Sequence, residues 1–180
     1  MPFKSVEESQ VTMSILMTPE NSNFGGKIHG GYVLMLMDQI AFACASKHSS
    51  NYCVTASVNK VDFLNPINVG ELLHLKASVN YTGRTSMVIG LRVESENIQT
   101  GEINHCNSSY FTMVAKNENG ESVPVPGLTI DTEEGVRRFA RSIQRKAQGK
   151  KRAELFDEEE FDFKAHIKGL EGQNVQIKLA

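Results

Sequence analysis

Residues 32–45 form an almost unbroken apolar run with a single carboxylate, Asp38, near its centre. A helix that is apolar on every face has to be buried, so the run predicts a central helix over residues 31–47. The same argument places Asp38 in the interior, where an unpaired charge is costly and occurs mainly where the acid takes part in chemistry. The run therefore predicts the centre of the fold and a candidate catalytic residue, although an acid paired within a subunit interface would show the same pattern.

The segments around this run have the patterns of strands. Apolar and polar residues alternate over residues 73–81 and 87–93, which is the period of a half-buried strand. Residues 11–17, 54–63 and 103–115 are also predicted strands. Short turn sequences join the later strands, which indicates an antiparallel meander. Because an antiparallel sheet can enclose an apolar helix only by curling around it, the pattern predicts an α+β fold, with a curved sheet around a long buried helix.

The pattern changes after residue 127, so we divide the chain into a domain of residues 1–127 and a C-terminal region of residues 128–180. Thr132 can cap a helix in that region. The apolar positions of this helix share one face that we expect to dock, and they are Val136, Phe139, Ala140, Ile143 and Ala147. Arginines and lysines occupy its other faces, and an acidic run follows at residues 157–160. These charges are either a solvated surface or an element that faces phosphate or bridges subunits.

The charge balance narrows the range of functions. Lys and Arg total 19 and Asp and Glu total 21, a net charge of −2, which argues against binding nucleic acid through counterion release. The three cysteines, Cys44, Cys53 and Cys106, show no close pairing in the sequence and are expected to be reduced, which favours a cytoplasmic protein. The first residues lack the order of a signal peptide, and the central helix is too short and too interrupted to span a membrane.

Two glycines, Gly30 and Gly31, stand where the central helix is predicted to begin. A helix start exposes backbone amides and the positive end of the helix dipole, so the Gly31 amide is a candidate donor to an oxyanion. The pair could equally serve only to let the helix and the sheet approach closely. His29 precedes the glycines and is a candidate general base, although a histidine at this position more often orients the backbone.

Other chemistries lack their motifs. The histidines and cysteines show no metal-ligand spacing, and the sequence contains neither a serine-hydrolase elbow nor a Rossmann or P-loop glycine pattern. We therefore expect no metal site. The hairpin sequence Gly83, Arg84, Thr85 and Ser86 is either an ordinary turn or a compact phosphate site, in which Arg84 supplies a charged fork and the hydroxyl groups complete it.

Together these residues resemble the hot-dog-fold acyl-CoA thioesterases. Their pattern, Asn-x(5)-His/Phe-Gly-Gly-x(6)-Asp, falls here on Asn23, His29, Gly30, Gly31 and Asp38. The similarity includes the sequences at 54–58, 63–66, 69–70 and 83–86, and it extends over residues 11–126. It implies hydrolysis of acyl-CoA to free CoA and a carboxylic acid, in fatty acid metabolism. It also implies a homo-oligomer, with a dimer as the minimal unit and commonly a trimer of dimers.

The resemblance also implies roles for individual residues. Asp38 would be the base or nucleophile, and Asn23 of the partner chain would position water or the thioester. Thr55 would assist the water, and the Gly31 amide would polarise the carbonyl. The sequence at 83–86 would bind the phosphates of CoA, which enters as substrate rather than as a cofactor.

Two other functions stay open. The same fold could serve as a non-catalytic, regulatory acyl-CoA-binding module, although a sensor needs the pocket and not the acid. A dehydratase of this fold would need a carboxylate close to His29. The sequence does not determine the acyl-chain length, which we expect to depend on the packing of Met35, Met37 and Phe42.

Overall fold

The structure is a computed structural model and describes residues 2–154 and 173–176. The chain divides into two compact units, Met1–Ser142 and Ile143–Ala180. The first unit contains the described strands and the helix that carries Asp38. The described part of the second unit consists of the end of the C-terminal helix and residues 173–176. The acidic run at residues 157–160 lies outside the described residues, and the predicted domain boundary at residue 127 stays a prediction.

The main elements confirm the predicted order of a strand, a long helix and four strands. In chain order they are β1 (Phe3–Ser5), α1 (Val6–Ser9), β2 (Val11–Leu16), α2 (Gly30–Ser49), β3 (Tyr52–Val58), β4 (Leu72–Thr82), β5 (Ser86–Glu96), β6 (Ile103–Lys116), β7 (Gly127–Thr129) and α3 (Glu133–Glu154). A short 3-10 helix, Pro19–Asn21, lies in the loop before α2.

The main sheet has five antiparallel strands in the order β2-β4-β5-β6-β3. The long strands β4, β5 and β6 form the predicted meander, and β2 and β3 lie at the two edges. Helix α2 packs against the strands of this sheet. A separate two-stranded sheet pairs β1 with β7 in parallel.

The core lies between one face of α2 and the inner face of the main sheet. The buried residues of α2 recur at helical spacing and include Val33, Leu36, Met37, Ile40, Cys44 and Ala45. They pack against buried residues of the strands such as Leu73, Leu75, Ile89, Val93 and Phe111. Each large aliphatic side chain buried in this way stabilises the fold by roughly 1.5–3 kcal/mol. The predicted fold class, a curled antiparallel sheet packed on a long helix, is confirmed.

The other face of α2 contradicts the prediction of a helix buried on all sides. Leu34, Met35 and Phe42 are 37 %, 47 % and 39 % exposed, and Asp38, which lies on the same face, is also exposed. The physical reason is that the sheet packs against one side of α2, and within the single chain the opposite side is left open. Apolar composition shows that a helix face avoids water, but it does not show whether the same chain covers that face.

Short elements are missing from the prediction because three or four residues cannot display a period. Helix α1 does carry a local signal, since the Ser5 hydroxyl accepts from the Glu8 amide and the Glu8 carboxylate accepts from the Ser5 amide. Strand β3 ends at Val58 instead of residue 63. One hydrogen bond to β6 continues past this point, from the Asn59 amide to the Tyr110 carbonyl at 3.0 Å. The regular pairing with β6 ends there, and residues 59–63 are irregular.

The C-terminal helix begins as predicted. The Thr132 hydroxyl accepts from the Gly135 amide at 3.1 Å, which is an N-cap. Of the predicted apolar face, Phe139 packs against Tyr81 with ring centroids 4.9 Å apart. Val136, on the same predicted face, is 59 % exposed. The expectation that this residue packs against another element is therefore wrong within this unit. Among the described residues no helix is long and apolar enough to cross a membrane.

The three cysteines are free and buried, as expected. Burial, opposed by a hydrogen bond from Ser9, raises the pKa of the Cys44 thiol to about 12, and burial also raises the pKa of Cys106. Thiols with raised pKa values are poor nucleophiles because the thiolate is the reactive form. Cys44 and Cys106 therefore act as small core side chains and not as nucleophiles.

Candidate active site

The structure brings Asp38 of α2 into direct contact with Thr55 of β3. The Thr55 hydroxyl donates to Asp38 Oδ1 over 2.6 Å, a short bond of the kind that a charged acceptor favours. The pairing of β3 with β6 shifts between Thr55 and Ser57, and a bulge of this kind can redirect a side chain. The two residues that the resemblance assigned to a base and its assistant thus form one polar pair on the open face of α2.

This pair leaves part of the carboxylate free for chemistry. Thr55 occupies Oδ1, while Oδ2 of Asp38 accepts no hydrogen bond from the described part of the chain. Both side chains are exposed. An exposed carboxylate oxygen with a fixed orientation can accept a proton from a bound water. The expected burial of Asp38 is not provided by the single chain.

The start of α2 requires a correction to the role predicted for Gly31. His29 is the N-cap of α2, and the Gly31 amide donates to His29 Nδ1 over 3.0 Å. That amide is therefore already occupied. The amide of Gly30, one residue earlier, has no acceptor among the described residues. The ring of Phe63 lies over Gly30, since a Cβ added there would stand 3.2 Å from Phe63 Cζ.

The rule that an N-cap side chain accepts the second or third amide of a helix could have revealed this arrangement in the sequence. The expectation that a histidine here orients the backbone agrees with this contact, but the sequence did not identify the Gly31 amide as the donor to its ring. No sequence signal links Phe63 to Gly30, because the two residues meet only through the fold.

Asn23 organises the loop that leads to α2. Its Oδ1 accepts from the Gly25 amide at 2.8 Å and from the Lys27 amide at 3.2 Å, an arrangement typical of an Asx turn. The side-chain Nδ2 donates to no group within the described residues, and Asn23 is exposed. Asn23 therefore presents an N–H donor to a ligand.

The helix start and Asp38 of one chain cannot meet at one reacting atom. Gly30 and Asp38 are both in α2, and at 1.5 Å per residue they are separated by about 12 Å along the helix axis. A thioester carbonyl within ~3 Å of a donor at the helix start is out of reach of Asp38 of the same chain. The structure thus unites Asp38 with Thr55 and leaves the glycine amides and Asn23 as a second, separate set.

The turn at residues 83–86 is held by its backbone and leaves its side chains available. The Gly83 amide donates to the Ser86 carbonyl at 2.7 Å, and the carbonyls of Arg84 and Thr85 each accept an amide at 3.0 Å. The Arg84 guanidinium is exposed and forms no ion pair with the described residues. Ser86 and Val54 both pair with Val114, which puts the turn about two strand spacings, roughly 10 Å, from the strand of Thr55.

Metal ligation has no support in the described part of the chain. No three His, Cys, Asp or Glu side chains among residues 2–154 and 173–176 are grouped so that they could hold a metal ion. Asp38 has Thr55 as its neighbour, and His29 has the Gly31 amide. The chemistry available is that of a carboxylate, a hydroxyl and amide donors.

Comparisons with known proteins show which family the chain resembles. A family model described as the thioesterase superfamily matches residues 25–102. Protein VdlD of Helicobacter pylori is 43% identical over 142 residues, which are 79% of this chain and 81% of that protein. YkhA of Bacillus subtilis, named an uncharacterized acyl-CoA thioester hydrolase, is 34% identical over 146 residues, 81% of this chain and 85% of YkhA.

Solved structures show the same fold. A hexameric acyl-CoA thioesterase in its apo form is 41% identical with a TM-score of 0.83, over 85% of this chain and 98% of that one. An acyl-CoA hydrolase from Staphylococcus aureus, in complex with butyryl-CoA, CoA and CoA disulfide, is 29% identical with a TM-score of 0.79, over 94% of this chain and 99% of that one.

Further structures of the S. aureus enzyme carry alanine in place of an aspartate, an asparagine or a threonine. The intervals between those positions equal the intervals between Asn23, Asp38 and Thr55 in this sequence. Fold, motif and extensive similarity all agree, and this chain belongs to the hot-dog-fold acyl-CoA thioesterases of the thioesterase superfamily.

Proposed function

We propose that this protein hydrolyses acyl-CoA to CoA and a carboxylic acid, with Asp38 as the base. The observation that carries the proposal is the hydrogen bond from Thr55 to Asp38, 2.6 Å long, on an exposed face of α2. The named relatives YkhA and the S. aureus hydrolase support the substrate class.

In the proposed reaction Asp38 removes a proton from a water while the water oxygen attacks the thioester carbonyl. Thr55 holds the carboxylate in place through Oδ1. The carbonyl oxygen, as it becomes negative, accepts from an amide at the start of α2, and one such donor typically contributes ~3 kcal/mol to the transition state. The C–S bond then breaks, the CoA thiolate leaves and takes up the proton from Asp38, and Asp38 is a carboxylate again. No cofactor takes part.

Gly30 is better suited than Gly31 to be this donor, because the Gly31 amide is bound to His29. Gly31 remains a candidate only if a ligand oxygen replaces the imidazole. In either case the amide belongs to the first turn of α2.

The proposed site is shared between two chains. The first reason is the separation of about 12 Å between Gly30 and Asp38 along one helix. The second is the open edge of β3. Among the described strands β3 pairs with β6 alone, and it lies beside the exposed apolar face of α2 that contains Leu34, Met35 and Phe42. A second copy would cover both features and would place its Asn23 and its amides near Asp38. Three such dimers would form the assembly expected from the sequence, and a structural neighbour is hexameric.

The turn at 83–86 is the proposed site for the CoA phosphates. Arg84 is an exposed cation with no described ion-pair partner, and planar guanidinium groups bind phosphate oxygens in pairs. We also propose a cytoplasmic location, in keeping with a human relative named as cytosolic, of which this chain spans 41%.

A non-catalytic acyl-CoA-binding module is the second candidate. It would need the Arg84 turn and the apolar face but would have no use for a carboxylate held by a hydroxyl. The hypothesis of a dehydratase has less support. Among the described residues the His29 side chain contacts the Gly31 amide and not a carboxylate.

The direct test measures release of CoA thiol from a series of acyl-CoAs of increasing chain length. The proposed function predicts turnover with at least one member of the series. Binding of these compounds without release of thiol would favour the sensor.

Mixing two inactive variants tests the shared site. Asn23→Ala and Asp38→Asn chains are each expected to form inactive oligomers, whereas co-assembled chains regenerate some sites with both residues intact. Mixed oligomers no more active than the single variants would contradict a site built from two chains.

A further inference from the structure

The hydrogen bond between Gly31 and His29 bears on the tautomer of the His29 ring. A backbone N–H can only donate, and it donates to Nδ1 over 3.0 Å. Nδ1 therefore accepts this hydrogen bond with its lone pair and carries no proton. In a neutral imidazole the proton is then on Nε2. His29 is consequently a donor at Nε2, and the nitrogen that could act as a base is already occupied.

The ring of His29 lies against the start of α2, where the proposed reaction places the carbonyl oxygen. A Cβ added to Gly31 would stand 3.1 Å from Nδ1 and 3.2 Å from Cε1 of His29, so this edge of the ring lies over the first turn of α2. Nε2 is bonded to Cε1 and therefore also lies at the helix start. His29 is exposed, and its Nε2–H has no acceptor among the described residues.

We propose that His29 is a catalytic electrophile, a neutral imidazole whose Nε2–H donates to the thioester carbonyl oxygen beside the Gly30 amide. The proposal rests on the proposed hydrolysis and adds a residue to it. As the attacking water forms the new C–O bond, the carbonyl electron pair moves onto oxygen, and the hydrogen bond that Nε2–H donates to this oxygen strengthens without transfer of the proton. When the oxygen re-forms the carbonyl and the C–S bond breaks, His29 is unchanged.

The geometry also explains why the glycines follow His29. The N-cap bond to Gly31 holds the ring in one tautomer, and the missing Cβ of Gly31 leaves space for the ring. A neutral histidine held in this way polarises a carbonyl without the cost of reorganising during the reaction.

Two substitutions separate catalysis from capping. His29→Asn keeps an N-cap acceptor for the helix but removes the Nε2–H. His29→Phe removes both. We expect kcat to fall on the order of 10- to 100-fold in both variants with KM nearly unchanged, since the lost donor acts mainly in the transition state. Only His29→Phe should lower the melting temperature appreciably. A His29→Asn enzyme with wild-type kcat would overturn the proposal.

A spectroscopic measurement tests the contact itself. The carbonyl stretch of a 13C-labelled acyl-CoA is recorded by difference Raman spectroscopy on the Asp38→Asn protein, which should bind the substrate without consuming it. Polarisation should lower the stretching frequency in the bound state. Adding His29→Asn should reverse part of that shift, and an unchanged frequency would show that Nε2 does not touch the carbonyl.

The two proposals fail in different ways. If the wild-type protein released no CoA from any acyl-CoA, the proposed function would be wrong. If the wild type released CoA and His29→Asn left both kcat and the carbonyl frequency unaltered, hydrolysis would stand and the electrophile would be excluded.

Discussion

The two faces of α2 are similar in composition and differ in what they contact. Leu36, Met37 and Ile40 on one face are at most 3 % exposed and pack against the sheet. Met35 and Phe42 on the other are 47 % and 39 % exposed, and Asp38 lies between them. Apolar residues thus serve two purposes in one helix. The first face stabilises the single chain, and the second carries the proposed catalytic carboxylate and is the proposed contact with a second copy.

This difference explains how an acid can lie within an apolar run at little cost to folding. In the single chain Asp38 remains in contact with water and is held by Thr55, so no buried charge has to be compensated. Desolvation would come only when a second copy covers the face. Substitutions on the two faces should therefore affect different measurements.

The largest expected effect is on turnover and comes from the open face. Asp38→Asn should lower kcat by at least 100-fold, because it removes the base. The free energy of unfolding should change by less than about 1 kcal/mol, since an amide oxygen can still accept from Thr55. Steady-state kinetics and urea unfolding of the same preparation check both statements. A variant with more than about a tenth of wild-type turnover would place the base elsewhere.

The buried face should respond in the opposite way. Ile40 is fully buried, and Ile40→Ala should reduce the free energy of unfolding by roughly 2–5 kcal/mol because it leaves a cavity. Met35→Ala, on the open face, is the matched control: it should alter the unfolding of the isolated chain little and weaken assembly instead. Urea titration and sedimentation measure the two effects. Equal loss of stability in both variants would remove the distinction between the faces.

A smaller effect is expected far from the reacting carbonyl. Arg84→Ala should raise KM more than it lowers kcat, by up to roughly 1.5–3 kcal/mol for a charge-assisted bond and less where water reaches it. Arg84 is exposed, so we expect the low end. With an acyl-pantetheine, which lacks the nucleotide, wild type and variant should become nearly equal. A defect of the same size with both substrates would assign Arg84 to folding or assembly.

The smallest effect should appear at the C-terminal end of α2, where His48 is fully buried. Burial lowers the pKa of His48, against a hydrogen bond to the Pro126 carbonyl that raises it. The unfolded chain therefore binds a proton near pH 6.5 that the folded chain does not, and stability should fall as the pH drops below that value. His48→Gln should show a weaker decline in unfolding free energy between pH 7 and pH 5.5. An identical slope in the two proteins would contradict this assignment.

The glycine motif shows how far local sequence reasoning reaches. The position of the helix start was predicted correctly because Gly30 and Gly31 directly precede an apolar run. The hydrogen-bond acceptor of the Gly31 amide was not predicted, because it depends on the orientation of the His29 ring. Similarly, Asp38 and Thr55 could be placed on a helix and a strand, but their contact of 2.6 Å arises only when β3 pairs with β6 next to α2.

What the sequence by itself determined was the long helix, the five strands of the main sheet and the candidate residues of the site. Alternation in β4 and β5 and the apolar run of α2 act over a few residues, and the motif from Asn23 to Asp38 lies in one continuous segment. Only the tertiary structure decided which side of α2 is covered. The covered side is the one against which the sheet packs. Because α2 has apolar residues on both sides, its sequence pattern does not indicate which of the two sides the sheet contacts.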